Sequence, residues 1–102
     1  MRIHWTVRAK KSANEVGAYI LQTFGERSFE KFCEELLHNV NLLAESPNLG
    51  RIEPLLNKRL FTYRSLVVNK RSKIIYRFDN ENIFIVDLWD TRREPEKLVN
   101  GL

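Results

Sequence analysis

The 102 residues predict a single α+β domain in which a helical hairpin covers one face of a small antiparallel sheet. Three observations carry this expectation. Arg2–Val7 alternates polar and apolar residues. Two stretches before Pro47 repeat their apolar residues at helical spacing. After Gly50 the chain turns to runs of β-branched and aromatic residues. The implied order is β-α-α-β-β-β, with residues 1–102 forming one domain.

In Arg2–Val7, Ile3, Trp5 and Val7 share one side and Arg2, His4 and Thr6 the other, the period of a strand with one buried face. Ser12-Ala13-Asn14-Glu15 matches a capping box, so the first helix is expected to start there or earlier, near Arg8. Ala13, Val16, Ile20 and Phe24 then fall on one stripe, and Gly25 is a natural stop. The second helix is expected to open at Ser28, with Glu30 in the first turn favouring the positive end of the helix dipole. Its stripe runs through Phe29, Phe32, Cys33, Leu36, Leu37, Val40, Leu43 and Ala44. Ser46-Pro47 closes it, because proline disfavours the α conformation in the residue before it.

Three strands are expected beyond the Asn48-Leu49-Gly50 turn, at Leu60–Val68, Lys73–Asp79 and Ile83–Asp90. The last two are joined by Asn80-Glu81-Asn82 as a hairpin. In the middle strand, Ile74, Tyr76 and Phe78 share a face, and Lys73, Ile75 and Arg77 share the other. The sheet face turned away from the helices is expected to carry the basic side chains.

Composition narrows the function. Hydrophobic residues are 43% and charged residues 29% of the chain, as in ordinary globular proteins. The amino terminus has no apolar segment of the kind a signal peptide needs, and no run is long enough to span a membrane. The expected compartment is the cytoplasm. Cys33, the single cysteine, excludes an internal disulfide and falls on an apolar stripe, where a small core residue is the simplest reading. Neither His4 nor His38 stands in a metal-ligand pattern, so no metal or cofactor is expected. No Gly-rich phosphate loop or GxSxG elbow is present, which disfavours a conventional hydrolase.

The net charge of +4 is unevenly placed. Residues 1–50 hold six basic and six acidic side chains, whereas residues 51–102 hold eleven and seven. From Pro54 to Phe78 there are Lys58, Arg59, Arg64, Lys70, Arg71, Lys73 and Arg77 and no carboxylate. Such a block attracts phosphates or an acidic partner, although a solvated surface kept soluble by cations has the same composition. Arg92 and Arg93 follow the last strand; an arginine pair there can grip a phosphate or pair with Asp87, Asp90 or Glu94. The candidate residues for binding a target or an acidic partner are therefore Arg59, Arg64, Lys70, Arg71, Lys73, Arg77, Arg92 and Arg93.

Three motifs in chain order resemble the RelE/ParE superfamily of toxins from type II toxin–antitoxin systems. Ser46-Pro47-Asn48-Leu49-Gly50-Arg51 looks like the SPxLGR connection of ParE-type toxins. Arg64 followed by Ile75-Tyr76-Arg77 resembles the tyrosine-bearing strand, and Trp89-Asp90-Thr91-Arg92-Arg93-Glu94-Pro95 resembles the RR(D/E)P close. The resemblance spans essentially the whole chain and implies the same β-α-α-β-β-β fold and a cognate antitoxin.

It also implies one of two targets. RelE-like members cleave mRNA on the ribosome without metal, using Lys and Arg with a Tyr or His as acid and base; ParE-like members poison DNA gyrase. By this resemblance Arg64, Lys73 and Arg92 are the candidate catalytic residues. One basic position of the RelE set is lost near Leu66, and Leu98 stands near where the terminal acid is expected. RNA cleavage needs a proton acceptor and donor as well as charge stabilisation, and arginine remains protonated at neutral pH. The expectation is a gyrase poison, with a RelE-type endonuclease and a non-toxic basic binding module as alternatives.

Overall fold

The computed structural model describes residues 1–56, 59–69 and 72–90. Its elements are β1 (Arg2–Trp5), α1 (Val7–Phe24), α2 (Glu26–Glu45), β2 (Arg51–Ile52), a 3-10 turn at Pro54–Leu56, β3 (Arg64–Asn69), β4 (Ser72–Phe78) and β5 (Asn82–Asp90). Among the described residues no helix is long and apolar enough to cross a membrane.

Both helices begin earlier than their sequence signals suggest. Thr6 caps α1, its hydroxyl accepting from the Ala9 amide at 3.0 Å, which allows the helix to open at Val7. Ser12, the expected cap, is buried inside the helix and donates to Asp87 instead. At the hairpin Gly25 ends α1 and starts α2 in a single residue. Its amide donates to Leu21 O and its carbonyl accepts from Phe29 N, at a φ of 94° that glycine tolerates without a side-chain clash. The turn therefore ends before Ser28, which lies within α2.

The sheet is mixed, in the order β1-β5-β4-β3-β2 among the described residues. The expected antiparallel pairing holds from β2 through β5, and β1 adds a parallel pair with β5, Ile3 opposite Ile83 and Trp5 opposite Ile85. A parallel neighbour needs a long crossover, and the helical hairpin with the three intervening strands supplies it. The two-residue β2, antiparallel to β3, has no signal in its sequence. The predicted strand over Leu60–Val68 begins only at Arg64, with Tyr63 just before it packed against the Leu56, Ile75, Val86 and Trp89 cluster.

Two cores flank the sheet. Against the helices lie Ala9, Phe32, Leu36, Val40, Leu43, Ile74, Tyr76, Ile83, Ile85 and Leu88, with Cys33 partly buried against them. Phe24 and Leu37 face solvent instead, at the outer rim of the hairpin. On the other face Leu56, Ile75, Val86 and Trp89 form a second cluster under Tyr63 and Phe84. The expectation of a basic face there is corrected in part: Lys73 and Arg77 share it with this apolar cluster.

A bulge makes this two-sided burial possible. Ile75 is opposite Asp87 but Tyr76 is opposite Ile85, which leaves Val86 as an extra residue in β5. Strict alternation would send residues 83, 85, 87 and 89 to one face. The bulge shifts the phase, so Leu88 joins Ile83 and Ile85 under the helices while Val86 and Trp89 turn away. It also brings the Asp87 carboxylate to the amino-terminal turns of α1. There Asp87 accepts from Ser12 Oγ at 2.6 Å and from Arg8 Nη2 at 2.9 Å, which ties the helical hairpin to the central strands.

Candidate functional site

The Ser46–Arg51 connection is held from below by the sheet. Tyr76 is fully buried; its hydroxyl donates to Pro47 O at 2.7 Å and accepts from the Gly50 amide at 2.9 Å. Arg64, opposite Tyr76 on β3, donates from Nη1 to Gly50 O at 2.8 Å. A Cβ at residue 50 would stand 2.6 Å from Tyr76 Oη and 2.7 Å from Ser65 O, so only glycine fits. Burial raises the Tyr76 phenol above its ordinary value, against the opposing Gly50 amide bond and Arg64 charge. It is a neutral anchor, not a proton donor poised near pH 7.

On the opposite face, Lys73 Nζ and Glu53 Oε2 form an ion pair at 2.8 Å, with the carboxylate nearly inaccessible at 1% exposure. Burial pushes the Glu53 carboxyl up. Hydrogen bonds from Lys73 and Ser65, the Lys73 charge and the Leu55 amide outweigh this and hold it below its ordinary value of 4.5. The sign follows from linkage: a depressed folded pKa gives stability that is complete above about pH 4.5 and lost as pH falls through the folded value. Melting temperature measured between about pH 5 and pH 3 should therefore fall more steeply in the parent than in a Glu53→Gln/Lys73→Met double variant. Equal slopes would contradict this pairing.

Next along the same face stands a row of planar groups. The Arg77 guanidinium lies 4.1 Å from the centroid of the Phe61 ring and 4.2 Å from that of Phe84. Beyond Phe84 the His4 ring stacks at 5.1 Å and 20°, and its Nε2 is 2.8 Å from Asn82 Oδ1. The order follows the register, with His4 opposite Phe84 and Arg77 opposite Phe84 on its other side. Asn82 is itself fixed by Asp79, whose carboxylate accepts from the Glu81 and Asn82 amides. Those bonds lower the Asp79 pKa, and the Arg77 charge contributes in the same direction.

The structure thus divides the residues singled out from the sequence. Arg64 faces the helices, whereas Lys73 and Arg77 lie on the other face, roughly 13 Å apart along β4 at strand spacing. Arg59 is exposed near the 3-10 turn. Lys70, Arg71, Arg92 and Arg93 lie outside the described residues, as do Lys58 and Leu98. Of the candidate catalytic trio, Arg64 is engaged with the connection and Lys73 with Glu53. Among the described residues no group of three or more His, Cys, Asp or Glu could hold a metal ion.

Glu53, Phe61, Phe84 and His4 are absent from the candidates that sequence reasoning offers. Glu53 stands just outside the acid-free block, and only the fold brings it across to Lys73. The period-2 placement of His4 and Phe84 is visible in the sequence, but their pairing across strands is not. A groove of about 450 Å³ also runs between the helices, lined by Ala13, Gly17, Leu21, Phe29, Cys33 and Leu37 among others.

The comparisons with known proteins agree with this architecture. The sequence profile of the family described as "ParE toxin of type II toxin-antitoxin system, parDE" matches residues 3–95. Among curated proteins there is no significant sequence match. A solved chain of the chromosomal ParDE toxin–antitoxin system of P. aeruginosa is similar with a TM-score of 0.71 and 18% identity, over 88% of this chain and 95% of that one. A YoeB/ParE toxin from Agrobacterium tumefaciens gives 0.59 and 15%, over 88% and 98% of the two chains. A YoeB dimer structure from Staphylococcus aureus gives 0.55 and 20%, over 85% and 92%. At these identities the solved structures establish the shared fold, and the family profile establishes kinship across nearly the whole chain: the protein belongs to the ParE toxin family of type II toxin–antitoxin systems.

Proposed function

We propose that this protein arrests growth in the cytoplasm by poisoning DNA gyrase and that a cognate antitoxin neutralises it. The observation that carries the reading is the family match over residues 3–95. The local chemistry supports it. Arg64 and Lys73, which a RelE-type endonuclease would need free at one site, are on opposite sheet faces and already engaged. Tyr76 is buried and doubly hydrogen-bonded, and Glu53 is held ionised, so neither serves as an acid at neutral pH.

The antitoxin is proposed to contribute a segment that folds on binding, with apolar residues in the α1–α2 groove and acidic residues toward the cations of the second half of the chain. Affinity then weakens with salt without vanishing, because the apolar burial persists.

Induction of the protein in a host carrying a DNA-damage reporter tests the function. The expected result is growth arrest with reporter activation, both reversed by co-expression of the antitoxin. Arrest with a silent reporter and mRNA cut within codons would assign the RelE-type mechanism instead. Undisturbed growth would assign a non-toxic binding module.

A further inference from the structure

Arg77 is held in an unusual way for a surface cation. Its guanidinium carbon lies over two rings at once, 4.1 Å from the centroid of Phe61 and 4.2 Å from that of Phe84. Contact with aromatic rings does not consume the guanidinium N–H groups, which remain available to hydrogen-bond a ligand. Among the described residues those N–H groups meet no hydrogen-bond acceptor; Asp79, the nearby carboxylate, is committed to the Glu81 and Asn82 amides. A long flexible side chain has therefore been immobilised with its donors unspent.

We propose that Arg77 is a preorganised fork for a backbone phosphate of single-stranded nucleic acid, with the rings at the ends of the row, Phe61 and His4, supporting an adjacent unpaired base. Immobilising the guanidinium in the folded protein removes much of the entropy cost that a free arginine meets on binding, and the planar donor edge matches two oxygens of a phosphate. The rings favour a nucleic acid over a carboxylate peptide. Phe61 and the exposed His4 lie at the two ends of the row, and at the His4 end β1 is the edge strand among the described residues. A cation set among aromatic rings is the chemistry that holds single strands, in which bases are free to stack. Arg2, exposed on β1 opposite Asn82, adds positive charge beside the row, and the chain as a whole carries +4. The site does not depend on the gyrase reading: binding is measured without gyrase, and failure of either leaves the other standing.

The test is fluorescence anisotropy with labelled DNA and RNA strands of roughly 12 nucleotides, a length of the order that one domain covers. Arg77→Lys keeps the charge but loses the planar fork and its contact with the two rings. It should weaken binding of single strands roughly tenfold, while Lys31→Ala, on the exposed side of α2, leaves it unchanged. Because Arg77 also braces Phe61 and Phe84, His4→Ala provides a variant at the exposed edge that spares both cores; about a threefold loss is expected from reduced stacking. The matching duplex should bind more weakly than either strand. Parent-like binding by both variants would overturn the proposal. So would equal binding of duplex and single strand, or displacement by polyglutamate as readily as by unlabelled oligonucleotide.

Discussion

Replacing Asp87 by alanine is expected to destabilise the protein by about 3–5 kcal/mol, the cost of removing one partner from a buried ion pair. The carboxylate is 1% exposed and serves four donors: Arg8 Nε at 3.2 Å, Arg8 Nη2 at 2.9 Å, Ser12 Oγ at 2.6 Å and the Leu88 amide at 2.9 Å. Arg8 retains some access to water and can rehydrate, but Ser12 is buried and its hydroxyl loses its acceptor. At about 4–8 °C per kcal/mol for a domain of this size, the melting temperature should drop by roughly 12 °C or more. Asp87→Asn should fall between, since an amide oxygen can still accept from Ser12. A drop under roughly 4 °C for Asp87→Ala would show that the bulge-borne carboxylate does not anchor α1.

The second large effect is expected at Tyr76, the largest of the fully buried side chains. Tyr76→Ala removes a ring from the centre of the helix-side core and should cost about 3–5 kcal/mol. Tyr76→Phe keeps the ring and deletes only the hydroxyl. It leaves Pro47 O and the Gly50 amide without their partner and should cost about 1–3 kcal/mol. Chemical denaturation separates the two, with an unchanged slope expected for Tyr76→Phe. If Tyr76→Phe were as stable as the parent, the hydroxyl would not be what fixes the Ser46–Arg51 connection. Gly50→Ala should remain costly even when combined with Tyr76→Phe, because Ser65 O still stands 2.7 Å from the new Cβ.

The helices were legible because each has a long stripe at helical spacing, and Phe32, Leu36, Val40 and Leu43 are buried as that stripe requires. Their starting points were not. Ser12-x-x-Glu15 has the form of a capping box, yet the bulge at Val86 places Asp87 within reach of Ser12, and a tertiary hydrogen bond claims the hydroxyl. The parallel pairing of β1 with β5 joins residues about eighty positions apart, where local pattern carries no signal. For the candidate site, cations were visible but their partners were not. Lys73 meets Glu53 across 20 residues, and Arg77 lies over rings from a loop and a neighbouring strand. The count of positive charges therefore overstated the number of cations free to act on a target.

The central claim, a toxin acting on DNA gyrase, is tested most directly by incubating the purified protein with gyrase, supercoiled plasmid and ATP, then trapping covalent complexes with detergent and protease. The expected result is linear plasmid that accumulates with toxin concentration and disappears when the antitoxin is added first. Intact plasmid at every concentration, alongside mRNA cut within codons in a translating extract, would contradict it and return Arg64, Lys73 and Arg92 to the list of catalytic candidates.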